Sequence, residues 1–79
     1  MAERGLVGAR ADARRMLTRQ ETRVMELLIE GRRDKEIASI LGLSPRTVTV
    51  FIENACDKLN TRTRIQAAVT FDRMRAAWP

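Results

Sequence analysis

Arg46, Thr47, Thr49, Glu53, Asp57 and Lys58 follow one another between Ser44-Pro45 and Leu59, with Val50 set among them. The chemistry open to such a row is hydrogen bonding and charge. A threonine can bond a base or a phosphate, and a valine can pack on a thymine methyl. A carboxylate at the floor of a major groove can accept from a cytosine amino group, although one turned toward phosphates is repelled. Covalent and acid-base chemistry have no residues to stand on: the chain has no histidine, a single cysteine, no glycine-rich phosphate loop and no carboxylates paired in a cleft. No enzyme, metal site, cofactor or small-molecule ligand is expected. Cys56 lies beside an apolar stripe that does not offer a reactive thiol the exposure it needs, so it is expected in the core.

Holding such a row in place requires helices, and the caps mark where they begin. Thr18 and Glu21 form a capping box that predicts a helix over about 19–30, with Val24, Leu27 and Leu28 inward, Arg23, Glu26 and Glu30 outward, and Gly31 as a left-handed stop. Arg33 or Asp34 opens a short helix to 41 with Ile37, Ala38 and Leu41 inward; Gly42 then turns the chain and Leu43 plugs the turn. Ser44 caps, and Pro45 begins, a helix over 45–59 whose buried stripe is Val48, Ile52, Ala55 and Leu59, flanked by Phe51 and Cys56 and stopped by Asn60. Thr63 and Gln66 make a second box ahead of a helix over 64–77 that carries Ile65, Ala68, Val69, Phe71, Met74 and Trp78. The fold class is all-α with four helices and no strand. A tight turn after a small helix is how a helix-turn-helix holds its reading helix at a fixed angle, and a plain four-helix bundle with short loops would show the same patterning.

Residue identities add to the pattern. Leu17-Thr18-Arg19-Gln20-Glu21, Gly31, Lys35-Glu36-Ile37-Ala38, Leu43-Ser44, Thr47-Val48, Lys58-Leu59, Arg64 and Ala67 fall in one order at one spacing, and the segment resembles the LuxR-type (GerE-type) DNA-binding domain over about two thirds of the chain. A sigma-factor region 4 shares the LTRQE run, the short turn and the Lys-Leu pair, but the Gly31 to Ala38 spacing and Arg64 with Ala67 favour the LuxR type. The resemblance implies a tetrahelical helix-turn-helix that is dimeric on double-stranded DNA, with the fourth helix in the dimer contact. It also marks departures. After Thr47-Val48 the family pattern favours a basic residue, a variable one and often histidine, where this chain has Thr49, Val50 and Phe51; Glu53 stands where a lysine is frequent. Arg46 and Lys58 against Glu53 and Asp57 leave residues 45–59 formally neutral.

The composition supports a polyanion partner without deciding it. Fifteen Lys and Arg against ten Asp and Glu give a net charge of +5 and a pI near 11 in 79 residues, which suits nucleic acid but also a generic basic protein. Residues 1–16 read as a basic N-terminal arm, flexible or partly helical, with Arg4, Arg10, Arg14 and Arg15 opposed by Glu3 and Asp12. That arm is either a solvated tail or a nucleic-acid contact, and residues 17–79 are the domain. No apolar run approaches the 18 or so residues of a membrane span, no secretory signal is legible, and one unpaired cysteine suits a reducing, cytoplasmic compartment. No receiver or ligand pocket fits in residues 1–16, so a stand-alone regulator controlled by abundance or by a partner is expected.

The expected site has three parts. Thr49, Val50 and Glu53 are the base readers; Arg46, Thr47 and Lys58, at matching family positions, contact phosphates, with Lys35, Arg33, Arg32 and Arg62 as weaker candidates; Ile65, Val69, Phe71, Met74 and Trp78 form a dimer or partner interface. Two functions follow. The first is a transcription regulator that binds duplex DNA as a dimer with its third helix in the major groove. The second is a protein-binding cofactor or anti-activator that acts through the fourth helix on RNA polymerase or another regulator, favoured by the neutral third helix.

Overall fold

The computed structural model describes residues 16–77. The N-terminal arm, Met16 excepted, and Trp78 lie outside the described residues. The four helices are α1 (Arg19–Ile29), α2 (Asp34–Leu41), α3 (Pro45–Lys58) and α4 (Arg64–Ala76), and there is no strand among the described residues. Three of them end one residue before the sequence reading placed their ends, because Glu30, Leu59 and Ala77 serve as C-caps rather than as helical residues.

The local signals that start and stop these helices act as their chemistry requires. At α1 the box is complete: the Glu21 amide donates to Thr18 Oγ1 at 3.1 Å and the Thr18 amide to Glu21 Oε1 at 2.9 Å. At α2 only half of it is possible, since arginine has no side-chain acceptor; the Arg33 amide donates to Glu36 Oε1 at 2.8 Å. Ser44 Oγ accepts from the Thr47 amide at 3.1 Å, and Pro45 takes the first helical position. At α4 the expected box is displaced by one residue. Thr63 Oγ1 accepts from the Gln66 amide, but the Gln66 side chain reaches back to the Arg62 amide, at 3.0 Å, instead of to Thr63.

Gly42 is the position on which the turn depends. Its φ of 70° is left-handed backbone, and it lets the Leu43 amide return to the Ala38 carbonyl at 2.8 Å, so α3 leaves α2 at once and at a fixed angle. Asn60, with φ 58°, makes the corresponding stop after α3 and is the one non-glycine residue with positive φ among those described.

α3 packs against each of the other three helices. Its buried side chains Val48, Ile52, Ala55, Cys56 and Leu59 meet Val24 and Met25 of α1, Ile37 and Ala38 of α2, and Ala67 and Phe71 of α4 in one core that Leu17 closes. Cys56 is a core residue, as expected. Met25, fully buried, was not foreseen, whereas Leu27 and Leu28 are only half-buried; α1 is covered by both α3 and α4, so its buried stripe is broader than the spacing of its leucines suggests.

One expectation is corrected here and another is qualified. Phe71, assigned to a partner surface, is 1% exposed and belongs to the core, because α4 turns the Ala67–Phe71 side inward and leaves Ile65 and Val69 in solvent. Lys58, assigned to phosphate, donates from Nζ to Glu21 Oε1 at 2.8 Å. That carboxylate is 3% exposed as a residue and needs a cation once taken from water, so Lys58 ties the end of α3 to the start of α1. Met74 rests half-buried against the core.

If Phe71 is core rather than interface, Phe71→Ala should lower unfolding free energy by about 3–5 kcal/mol, read by urea denaturation at protein concentrations low enough for a monomer.

Candidate nucleic-acid interface

With one side of α3 sealed in the core, the opposite side is what the fold offers to a ligand. Val50, 44% exposed, stands near the middle of that side, with Arg46 one turn before it and Glu53, Asn54 and Asp57 after it, all exposed. Thr49 and Thr47 are half-buried on its flanks. Of the three expected base readers, Val50 and Glu53 share the solvent side of α3 and Thr49 lies half-buried at its edge. Asn54 belongs with them and was missed. Its signal was available in the sequence, since it lies four residues after Val50 and its amide can pair with adenine in two bonds.

The first turn of α3 is rigid. The Ser44 and Thr47 hydroxyls are 2.9 Å apart in addition to the cap bond, so Thr47 is fixed where the helix presents its unpaired amides and the positive end of its dipole. Arg46 projects from the same turn.

A second set of bonds holds the middle of α3. Asp34, the first residue of α2, accepts from Arg64 of α4 in a two-pronged contact, Nη1 to Oδ1 at 2.7 Å and Nη2 to Oδ2 at 3.2 Å, and Oδ2 also accepts from the Thr49 hydroxyl at 3.0 Å. The starts of α2 and α4 thus meet at the flank of α3. The hydrogen bonds from Arg64 hold the Asp34 carboxyl below its ordinary pKa against the opposing effect of burial, and the same contact raises that of Arg64. This junction was not foreseen. Opposite charges thirty residues apart carry no local signal, and only the packing of α4 brings them together.

The junction changes the charge that the site presents. Arg64 is balanced by Asp34 and Lys58 by Glu21, so neither is a free cation. Arg46, Arg33, Lys35 and Arg62 are exposed and have no ion pair among the described residues, while Arg32 lies 3.6 Å from Glu30. A shallow cleft between α3 and the start of α4 is lined by Thr49, Glu53, Asp57, Arg62 and Arg64. On the other side of α4, Ile65, Ala68 and Val69 form an open apolar groove with Leu28 and Ile29 of α1. Ile65 is 74% and Val69 46% exposed.

The model of bacterial regulatory proteins of the luxR family matches residues 15–71, which takes in α1 to α3 and the first half of α4. The chain belongs to this family. Curated relatives place it there as well. It is similar to the nitrate/nitrite response regulator protein NarP of Escherichia coli, at 40% identity over 98% of this chain and 36% of NarP. It is 46% identical to the spore germination protein GerE of Bacillus subtilis over 75% of this chain and 80% of GerE. With the transcriptional activator protein LuxR of Aliivibrio fischeri it shares 43% identity over 65% of this chain and 20% of LuxR. The match thus spans about a third of NarP, a fifth of LuxR and most of GerE. No solved structure matches. The family assignment agrees with the resemblance read from the sequence and separates the chain from enzymes, since these relatives are named as regulators or, for GerE, as a germination protein.

The Asp34–Arg64 pair yields a pH signature. Asp34 titrates lower in the folded chain than its ordinary value of 3.8, so its contribution to stability is complete above that value and is lost as pH falls through the lower, folded one. Arg64 stays charged throughout. Asp34→Asn should therefore be less stable than wild type at neutral pH, and the gap between their urea midpoints should narrow as pH falls below 3.8.

Proposed function

We propose that this domain binds duplex DNA as a dimer and regulates transcription, with α3 lying in the major groove. The observation that carries the reading is the one-sided burial of α3: Val50, Glu53, Asn54 and Arg46 face solvent on a helix that three others and the Gly42 turn hold still. Family membership supports the same reading, and the names of LuxR and NarP, as activator and response regulator, supply its class of function.

In this reading Arg46 and Thr47 position the first turn of α3 on the phosphates, helped by the helix N-terminus, and Arg33 and Lys35 bear on the backbone from the start of α2. Lys58 contributes only what its pairing with Glu21 leaves free. Thr49, Val50 and Glu53 face the bases, with Asn54 beside them. Dimerisation runs through α4. Ile65 and Val69, one turn apart and exposed, supply the apolar contact, and the groove beside them receives the partner's equivalent residues. A cytoplasmic setting suits a DNA partner; among the described residues no helix is long and apolar enough to cross a membrane.

A second reading has a specific observation behind it. With Lys58 and Arg64 both balanced internally, the solvent side of α3 has Arg46 against Glu53 and Asp57, which favours a protein surface, such as RNA polymerase or a larger regulator, over phosphate. Salt titration separates the two. DNA binding predicts a log–log slope set by the phosphates contacted; Arg46→Ala should reduce its magnitude by about one, and Glu53→Lys should tighten nonspecific binding while changing site preference. Absence of affinity for any duplex at low ionic strength leaves the protein-binding reading in place of the first.

For the dimer, Val69→Asp should raise the dissociation constant at least about tenfold in sedimentation experiments and weaken binding to a two-fold symmetric site in parallel, with the thermal midpoint unchanged. A monomeric wild type at all accessible concentrations would remove α4 from this role.

A further inference from the structure

The Thr49 hydroxyl has already spent its hydrogen. A threonine hydroxyl carries one hydrogen and two lone pairs. Within reach of Thr49 Oγ1 lie two oxygens that can only accept: Asp34 Oδ2 at 3.0 Å and the Pro45 carbonyl at 3.2 Å. Asp34 is held in place by the two-pronged Arg64 contact at 2.7 and 3.2 Å. Whichever oxygen takes the hydrogen, it points into the protein, and what Thr49 offers a ligand is a lone pair and a methyl group. Its neighbours on the same side match it. Val50 offers only methyl groups, and the Glu53 carboxylate only accepts.

We propose that Thr49, Val50 and Glu53 form an acceptor-and-methyl face that selects the exocyclic amino groups of cytosine or adenine and the methyl of thymine, and that Asp34 and Arg64 act as positioning residues by holding the Thr49 hydrogen inside. This rests on the reading that α3 enters the major groove. Guanine shows two acceptors there, N7 and O6, and set against a threonine lone pair or a carboxylate it leaves both sides unsatisfied. Cytosine N4 and adenine N6 show donors, and thymine shows a methyl that Val50 can cover. A lysine or arginine at positions 49 and 53 would donate and so favour guanine; threonine and glutamate reverse the polarity of the readout. Donors on the solvent side of α3 remain at Arg46 and Asn54, on either side of this trio.

The test starts with selection of duplexes from a random pool by the full chain. The selected site is then resynthesised with single atoms altered: 2-pyrimidinone in place of cytosine and purine in place of adenine remove the amino group, and 7-deazaguanine removes N7. At one step or more in each half-site, loss of the amino group should weaken binding about five- to tenfold. Thr49→Val should bind the intact and the amino-lacking duplex equally at one such step, whereas Thr49→Ser, which keeps the hydroxyl and its partners, should retain the wild-type difference. Asp34→Ala, which leaves the Thr49 hydroxyl only the longer bond to the Pro45 carbonyl, should lessen the discrimination against guanine at that step with the other steps unchanged. The proposal is overturned if the step that Thr49→Val erases is sensitive to 7-deazaguanine, or if no step responds to amino removal. Failure to select any duplex is a different result: it removes the DNA-binding reading itself, and this inference with it.

Discussion

What the third helix can offer a ligand depends on the asymmetry of its burial. Five of its flanking or internal side chains, Val48, Ile52, Ala55, Cys56 and Leu59, are buried against three other helices, and this contact is what fixes the helix's rotation about its own axis. A different rotation would bring other residues to the surface. The apolar stripe, a hydrophobic interaction without direction of its own, therefore decides which polar groups point outward. Val50 is central to the free side because it lies opposite that stripe.

Two ion pairs keep this arrangement from sliding. Lys58 to Glu21 anchors the end of α3 to the start of α1, and Arg64 to Asp34 anchors the starts of α4 and α2 beside its middle. Each uses a cation that would otherwise be available to phosphate. The domain thus trades two cations for a firmly held α3, in a +5 chain whose third helix is formally neutral. The same trade bears on Thr49, since the carboxylate that fixes the junction is one of the two oxygens that can take its hydrogen. In the proposed reading, stability and selectivity meet in one residue, Asp34.

Much of the fold was legible because its signals are local. Thr18 with Glu21, Ser44 with Pro45, and Gly42 are decided by bonds within four or five residues, and the helices begin where these say they must. Phe71 shows where local reading stops. Its stripe with Met74 looked like a surface for a partner, because apolar residues near a terminus carry no mark of whether the chain itself will cover them. The packing of α4 covers Phe71 and leaves Ile65 and Val69 uncovered. Lys58 and Arg64 illustrate the same limit for charge, since their acidic partners are thirty or more residues away.

The sequence by itself determined the number and order of the helices and most of their caps, which rest on periodicity and on bonds between near neighbours, and the family resemblance, which rests on residue identities in register. Tertiary structure alone decided that Lys58 and Arg64 are paired, that Phe71 is core and that Asp34 lies within reach of the Thr49 hydroxyl. Those outcomes depend on groups far apart in the chain meeting within about 3 Å, and no spacing along a helix encodes such a meeting.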